Sequence, residues 1–301
     1  MIPINFQYNK KLLDEYYDLV VVKNHLKKNI DKLDEWCKKY LIFYIKGKRE
    51  VFSFMDVVEA SPERLICIAR RIRILKRHNI EGAPYEWNKN KRKSYYIVNN
   101  LYNRMSHESR KKIIDSLGIV TCPYCNRNYI NDAESHSGCH LDHFYDKKTY
   151  PILAVSFYNL IPVCSTCNEV KANRKLYYSP HNSVYKADDL LQFSYIYKTS
   201  PGEIQILLKP KVGAEFYKKN IEVLELEKLY QIHSEIVNEI IQKASYVKQY
   251  KKAMYRSLKI RFTNEEIMRQ FLGNYYTEDL YGKRPLAKLT HDIAKEVHII
   301  K

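Results

Sequence analysis

The sequence predicts an α+β chain, mainly helical, that encloses one compact module of mixed strand and helix. Three observations carry this reading. Apolar residues recur at helical spacing through both ends of the chain. Between Val120 and Lys175 that periodicity stops, and Cys, Pro, Asn and His cluster among short apolar runs. Two Cys-x-x-Cys pairs bracket the same stretch, with 38 residues between them.

Residues 1–117 form a basic helical region. From Lys10 to about Lys39, residues Leu12, Tyr16, Leu19, Val20, Leu26, Ile30, Leu33 and Trp36 fall at helical intervals. Ser61-Pro62-Glu63 is a helix start, with Ser as the cap and Pro in the first turn. The helix that follows, about 62–78, places Leu65, Ile68, Ile72 and Leu75 on one side. Arg64, Arg70, Arg71, Arg73, Lys76 and Arg77 crowd the rest. GAPYEWNKNKRKS reads as a turn and a basic run, and helices over about 94–104 and 107–117 follow, the second ended by Gly118. Residues 118–175 are the compact module. In residues 176–301, FSYIYKTSPGEIQILLK (193–209) reads as a β-hairpin across Ser200-Pro201-Gly202. One long helix is expected over about 223–258. Thr263-Asn264-Glu265-Glu266 is a capping box opening another, and a last helix spans about 286–297. The chain shows no internal repeat and no low-complexity linker.

The 301 residues are 45% hydrophobic, which supports a folded core and argues against disorder. No apolar run has the length of a membrane span. The first residues, MIPINFQYNKKLLDEYY, lack a signal-peptide pattern, so a cytoplasmic protein is expected. The net charge is +17 and uneven: residues 1–117 carry 25 Lys and Arg against 14 Asp and Glu, residues 118–175 carry 6 against 5, and residues 176–301 carry 20 against 15. Such an excess points to a polyanionic partner, of which nucleic acid is the usual one. The plainer alternative is that the basic residues solvate helix faces.

Seven cysteines, an odd number, with no export signal, argue against a disulfide framework. Cys37 and Cys67 lie in apolar helical patterns and read as small core residues. Cys122-Pro-Tyr-Cys125 and Cys164-Ser-Thr-Cys167 are two knuckles able to hold one zinc ion through four thiolates. Such a site is closed and structural, because four sulfurs leave no position for water. Unliganded core cysteines or a redox pair are the alternatives, and two pairs at the same spacing speak against both. His136, Cys139 and His140 lie between the knuckles, either as spare ligands or simply facing solvent.

Between the knuckles sit polar residues that core packing does not demand. Hydrolysis of a phosphodiester needs a base for water, a cation against developing charge, and alignment. His143 can be the base. Asp142 offers a carboxylate and Asn168 an amide oxygen, both hard donors of the kind magnesium takes. A short strand through Leu141 would carry Asp142 and His143, and a short helix would open near Asn168. Neighbours on a regular strand point to opposite faces, so both can serve one site only if the chain twists or the base approaches from the side. Asn159, before Leu160-Ile161-Pro162, is read as a loop brace. Lys171 and Arg174 are suited to phosphate, or else form a solvated helix face.

These residues resemble the HNH endonuclease superfamily, with its ββα-metal fold. The resemblance rests on Cys122-Pro-Tyr-Cys125, Leu141-Asp142-His143-Phe144, Asn159-Leu160-Ile161-Pro162 and Cys164-Ser-Thr-Cys167-Asn168-x-x-Lys171, about 55 residues in all. It implies His143 as general base, Asn159 as the structural middle residue, and Asp142 with Asn168 as ligands of one Mg²⁺ or Mn²⁺. The third position is Asn168 where the name has His, as in many members of that superfamily. A narrower resemblance, over DHFYDKKTYPILAVSFYNLIPVCSTCNEVKAN, is to the HNH subunits of Septu-type antiphage systems, including those attached to retrons. There an ATPase subunit accompanies the nuclease. This chain has no GxxxxGK[ST] loop, so any ATPase would be a separate protein. The basic helices, particularly 64–77 and 89–93, would then contact nucleic acid or an acidic partner face. Two other readings remain. One is a zinc-stabilised nucleic-acid or protein-binding adaptor without catalysis. The other is a stand-alone restriction or homing enzyme.

Overall fold

A computed structural model describes residues 2–4, 9–23, 27–45, 47–78, 97–131, 138–182, 184–198 and 203–301. The basic run at 89–93, His136 and the Ser200-Pro201-Gly202 turn lie outside the described residues, as does the first part of the helix expected over 94–104. The chain is α+β: among the described residues, helices accompany three two-stranded antiparallel sheets.

Helix α1 (Lys10–Tyr17) starts at Asn9, whose side chain accepts from the Leu12 amide at 3.2 Å. It runs into a π-helical turn, Asp18–Val22, and α2 (Lys27–Tyr40) follows. Tyr16, Val20, Leu33 and Trp36 are buried, as their spacing predicts, whereas Leu13 is buried in place of Leu12, which is half-buried. The hairpin β1 (Ile42–Ile45) and β2 (Lys48–Val51) turns through Gly47 at φ +76°, a conformation that favours glycine. A full Ser53–Asp56 capping box opens α3 (Phe54–Val58). Ser61 caps α4 (Pro62–Arg77), which buries Leu65, Ile68, Ala69, Ile72 and Leu75. Ile97–Tyr102 is a second π-helical segment, and α5 (His107–Ser116) ends before Gly118 at φ +62°.

The module centres on β3 (His140–His143) paired antiparallel with β4 (Leu160–Val163), with Asp142 opposite Ile161 and His143 opposite Leu160. Helix α6 (Ser165–Lys171) follows directly. Beyond it come α7 (Ala187–Leu190), the hairpin β5 (Leu191–Tyr197) and β6 (Ile204–Pro210), and then α8 (Lys218–Val223), α9 (Leu226–Tyr230), α10 (Ser234–Leu258), α11 (Asn264–Phe271) and α12 (Ala287–Glu296). The single helix expected over 223–258 is broken. Glu225 sits at φ +49°, and residues 231–233 form a 3₁₀ turn. The break re-aims the chain so that Leu224, Leu226 and Tyr230 are all buried, and the Tyr230 hydroxyl donates to the Cys125 carbonyl.

One hydrophobic core runs through all three sequence regions, from Ile4 to Ile300. Buried side-chain bonds stitch the outer regions to the module. The Tyr16 hydroxyl donates to the Val155 carbonyl at 2.8 Å, and Ser156 donates to the Val57 carbonyl at 2.7 Å. Asn126, at φ +52°, donates to Thr121 Oγ1 and to the Tyr281 and Arg284 carbonyls at 3.0, 2.9 and 3.1 Å. No described helix is long and apolar enough to cross a membrane.

Candidate active site and metal centre

The two knuckles converge. The Sγ atoms of Cys122, Cys125, Cys164 and Cys167 all lie within 4.8 Å of one another, and all four residues are buried. Cys125 and Cys164 have their sulfurs 3.9 Å apart. Tetrahedral zinc with Zn–S bonds of about 2.3 Å needs sulfurs about 3.8 Å apart, so the four residues can hold a metal such as zinc. The first knuckle turns because Asn126 takes a left-handed conformation while its amide donates to the Cys122 carbonyl at 2.7 Å. The second opens α6, with Cys164 at its cap. Among the other candidates, Cys139 is buried outside this cluster and His140 is exposed.

Each knuckle also carries a residue toward the polar constellation. Tyr124, between the first two cysteines, donates to Asp142 Oδ2 at 2.7 Å. Asn168 directly follows Cys167. Asp142 is 6% exposed and its carboxylate lies 3.0 Å from the Lys171 ammonium through either oxygen. Lys171 is only 1% exposed and also donates to the His143 carbonyl at 2.8 Å. The expectation that Lys171 reaches phosphate is therefore corrected: its chain points inward and its charge is used on Asp142. Burial raises the Asp142 carboxyl above its ordinary value, against the pull of Lys171 and Tyr124. A carboxylate has about four acceptor positions. Tyr124, Lys171 and the His143 backbone amide engage those of Asp142, which with Asn168 remains an oxygen donor of the hard kind that a divalent ion takes.

His143 ends β3, 6% exposed, with its ring edge-on to Tyr102 at 4.4 Å between centroids. Its Nε2 lies 2.9 Å from the Ala154 carbonyl oxygen. A carbonyl only accepts, so Nε2 carries the proton and Nδ1 keeps its lone pair. Burial pushes the imidazole pKa down to about 3, with the Ala154 carbonyl acting the other way. The ring is thus neutral, with Nδ1 as its acceptor nitrogen. Tyr102 is held in turn by a 2.8 Å bond from its hydroxyl to the Leu141 carbonyl.

Asn159 is fully buried. Its side-chain oxygen accepts from the Tyr145 amide at 2.7 Å, and its nitrogen donates to the Leu153 and Tyr145 carbonyls at 2.8 and 3.2 Å. It ties together the chain that connects β3 to β4.

Asp142, His143 and Asn168 border one cleft of about 330 Å³, together with Asp146 and Asn173. Placement at the end of a strand resolves the opposite-faces difficulty: Asp142 turns toward Tyr124 and Lys171 and His143 toward Tyr102 and Ala154, yet both reach the cleft. Two cations that sequence reasoning missed line it too. Arg110 and Lys147 lie 5.6 and 4.5 Å over the Tyr102 ring. Lys147 follows the Asp-His pair closely and could have been weighed, whereas Arg110 comes from α5 and carries no local signal.

The other basic candidates divide. Arg70, Arg73 and Arg174 are exposed and line a second cleft. Arg71 is half-buried, with Nε donating to the Tyr40 carbonyl at 3.0 Å, so it serves the fold and not a surface. A second carboxylate cluster, Asp188 with His291 and Asp292, was also not foreseen. The Lys288 ammonium lies 2.8 Å from Asp188 and 2.6 and 2.7 Å from Asp292, and supplies the positive charge there. Compared with known proteins, the chain matches no family model, no curated protein and no solved structure.

Proposed function

We propose that this chain is a metal-dependent endonuclease of HNH type that hydrolyses nucleic-acid phosphodiester bonds in the cleft of His143, Asp142 and Asn168. One observation carries the reading. A buried imidazole with its Nε2 proton committed to a carbonyl, and hence a free Nδ1, shares a cleft with two hard oxygen donors. Core packing calls for none of these three. In this reading the order β3, β4, α6 is the ββα-metal unit.

The residues divide the work as follows. His143 Nδ1 takes the proton from water as its oxygen bonds to phosphorus. The bond from phosphorus to the leaving oxygen breaks, that oxygen takes a proton from solvent, and a 5′-phosphate end remains, as in the superfamily. The Ala154 carbonyl steadies the imidazolium that forms. A magnesium-like ion held by Asp142 and Asn168 would neutralise charge developing on the phosphoryl and leaving oxygens. Arg110 and Lys147 line the same cleft and would present positive charge to the phosphate. Structural zinc would align the site, because one knuckle carries Tyr124 against Asp142 and the other begins the helix of Asn168. A role as the effector nuclease of an antiphage complex, with a separate ATPase subunit, is part of the proposal and rests on the resemblance alone.

The test is cleavage of a panel of duplex DNA, single-stranded DNA and structured RNA, with and without divalent ions. Wild type should cut at least one substrate only with the ion, and His143→Ala should not. Asn168→Ala should need more ion for half-maximal cutting. Cleavage that survives His143→Ala would overturn the assignment. A protein inert on every substrate that still binds zinc and nucleic acid would instead be the adaptor.

A further inference from the structure

A second, larger cleft of about 560 Å³ adjoins the first, and the two share Asp146 and Asn173. That volume is typical of small-molecule sites, which run from roughly 300 to 1,000 Å³. The hydrolysis described above makes no use of it. Leu65 and Ile66 of α4 line it with apolar side chains, and Tyr145, Tyr150 and Tyr177 line it with aromatic ones. Tyr145 is fixed edge-on between Phe144 and Tyr150, at 5.0 and 5.4 Å. Tyr177 is 51% exposed and lies under the Lys175 ammonium at 4.7 Å.

Charge at the rim decides what this cleft suits. Arg70, Arg73, Arg174 and Lys175 line it, and Asp146 is its one acidic residue among the described residues. Asp146 is itself engaged by the Thr149 and Lys148 amides, at 2.8 and 3.3 Å. Arg70 and Arg73 are exposed with no hydrogen bond or ion pair among the described residues, so their guanidinium groups are uncommitted. An apolar peptide would leave this positive rim unanswered. A nucleotide answers both features: its base offers two flat faces to tyrosine and its flanking phosphates meet the guanidinium groups. In an intact duplex the bases are stacked and paired, and their faces cannot enter a pocket.

We infer that this cleft receives the base of a nucleotide next to the scissile phosphate, turned out of its stack, and that the enzyme therefore selects unpaired nucleotides. The inference rests on the proposed function, because the shared wall of Asp146 and Asn173 sets base and phosphate side by side. It narrows the substrate to single strands, loops or bulges, in RNA or DNA.

Its test separates the two claims. Binding is measured with the His143→Ala full-length protein and no divalent ion, so no cleavage is involved. The probes are oligothymidylate, oligouridylate and a strand of equal length whose sugars carry no bases. Stacking of a base on an aromatic side chain predicts that at least one base-bearing strand binds about tenfold tighter than the abasic strand. Tyr177→Ala and Ile66→Asp, both at partly exposed positions, should each shrink that ratio severalfold with unchanged melting temperature. A ratio near one, or a ratio that both variants leave intact, overturns the base pocket. So does wild type cutting a duplex as fast as the same sequence unpaired. Loss of His143-dependent cleavage from the substrate panel would instead strike the nuclease reading, and the binding ratios would remain readable.

Discussion

Replacing Lys171 by Met tests the interior of the site most sharply. Lys171 is 1% exposed and its ammonium sits 3.0 Å from Asp142 and 2.8 Å from the His143 carbonyl. Met keeps most of the volume and removes the charge. Asp142 would then be buried with the Tyr124 hydroxyl and the His143 backbone amide as its partners. Removing one member of a buried pair typically costs about 3–5 kcal/mol, and an orphaned carbonyl about 1–3 kcal/mol, overlapping terms that together suggest roughly 4 kcal/mol. Against a typical stability of about 5–15 kcal/mol this is a large loss. Urea unfolding of the zinc-loaded protein measures it. Asp142→Asn combined with Lys171→Met should cost less than the two single changes added together, since the double variant strands no charge. A parallel assay follows oligonucleotide affinity against salt. Lys171→Met should leave that slope unchanged, whereas loss of a phosphate contact would reduce it by about one. A stability loss below about 1 kcal/mol with a reduced slope would refute the buried pair and restore Lys171 as a phosphate contact.

Four further outcomes are expected. Cys125→Ser should lower zinc content per chain by mass spectrometry and broaden thermal unfolding, since a closed structural site needs all four sulfurs. Asn159→Ala should cost about 3 kcal/mol in denaturant unfolding, because its three bonds to the Tyr145 and Leu153 backbone are lost in the interior. Arg70→Glu with Arg73→Glu should weaken nucleic-acid binding with little change in melting, whereas Arg71→Glu should lower the melting temperature through the Tyr40 carbonyl it now serves. His181 is buried, donates from Nε2 to the Leu160 carbonyl at 3.1 Å, and has its pKa pushed down to about 4 by burial. The unfolded chain binds that proton more readily, so the stability held above about pH 6.5 is lost as pH falls toward 4, by roughly 2 kcal/mol between about pH 7 and pH 5. His181→Gln keeps a donor and should flatten that part of the pH curve, and an unchanged curve would count against a neutral buried ring.

Much of this protein is legible in its sequence. Two equal cysteine spacings announced a four-sulfur cluster because metal ligation leaves a local signature. Ser61-Pro62 and Thr263–Glu266 marked helix starts because caps are local chemistry, and α4 buries the face its apolar spacing named. Other features were not legible for equally physical reasons. The hairpin of β1 and β2 is short, with an exposed second strand, so alternation was weak. The break at Glu225 depends on which face Tyr230 must bury, a tertiary demand. Lys171 and Arg71 look on paper like other surface cations, and only the fold shows that one answers Asp142 and the other Tyr40. Arg110 reaches the cleft from a separate helix, and no spacing rule links it to His143.

The central claim is that His143 acts as the base in a divalent-ion-dependent phosphodiester cut. The most direct measurement is the single-turnover cleavage rate of wild type beside His143→Ala and His143→Gln, at saturating ion, with zinc content and melting temperature checked on the same samples. The account predicts a loss of about 10²–10⁴-fold in both variants, the range for a general base, with zinc retained and the Gln variant folded as wild type. Equal rates in wild type and a folded Gln variant would contradict it.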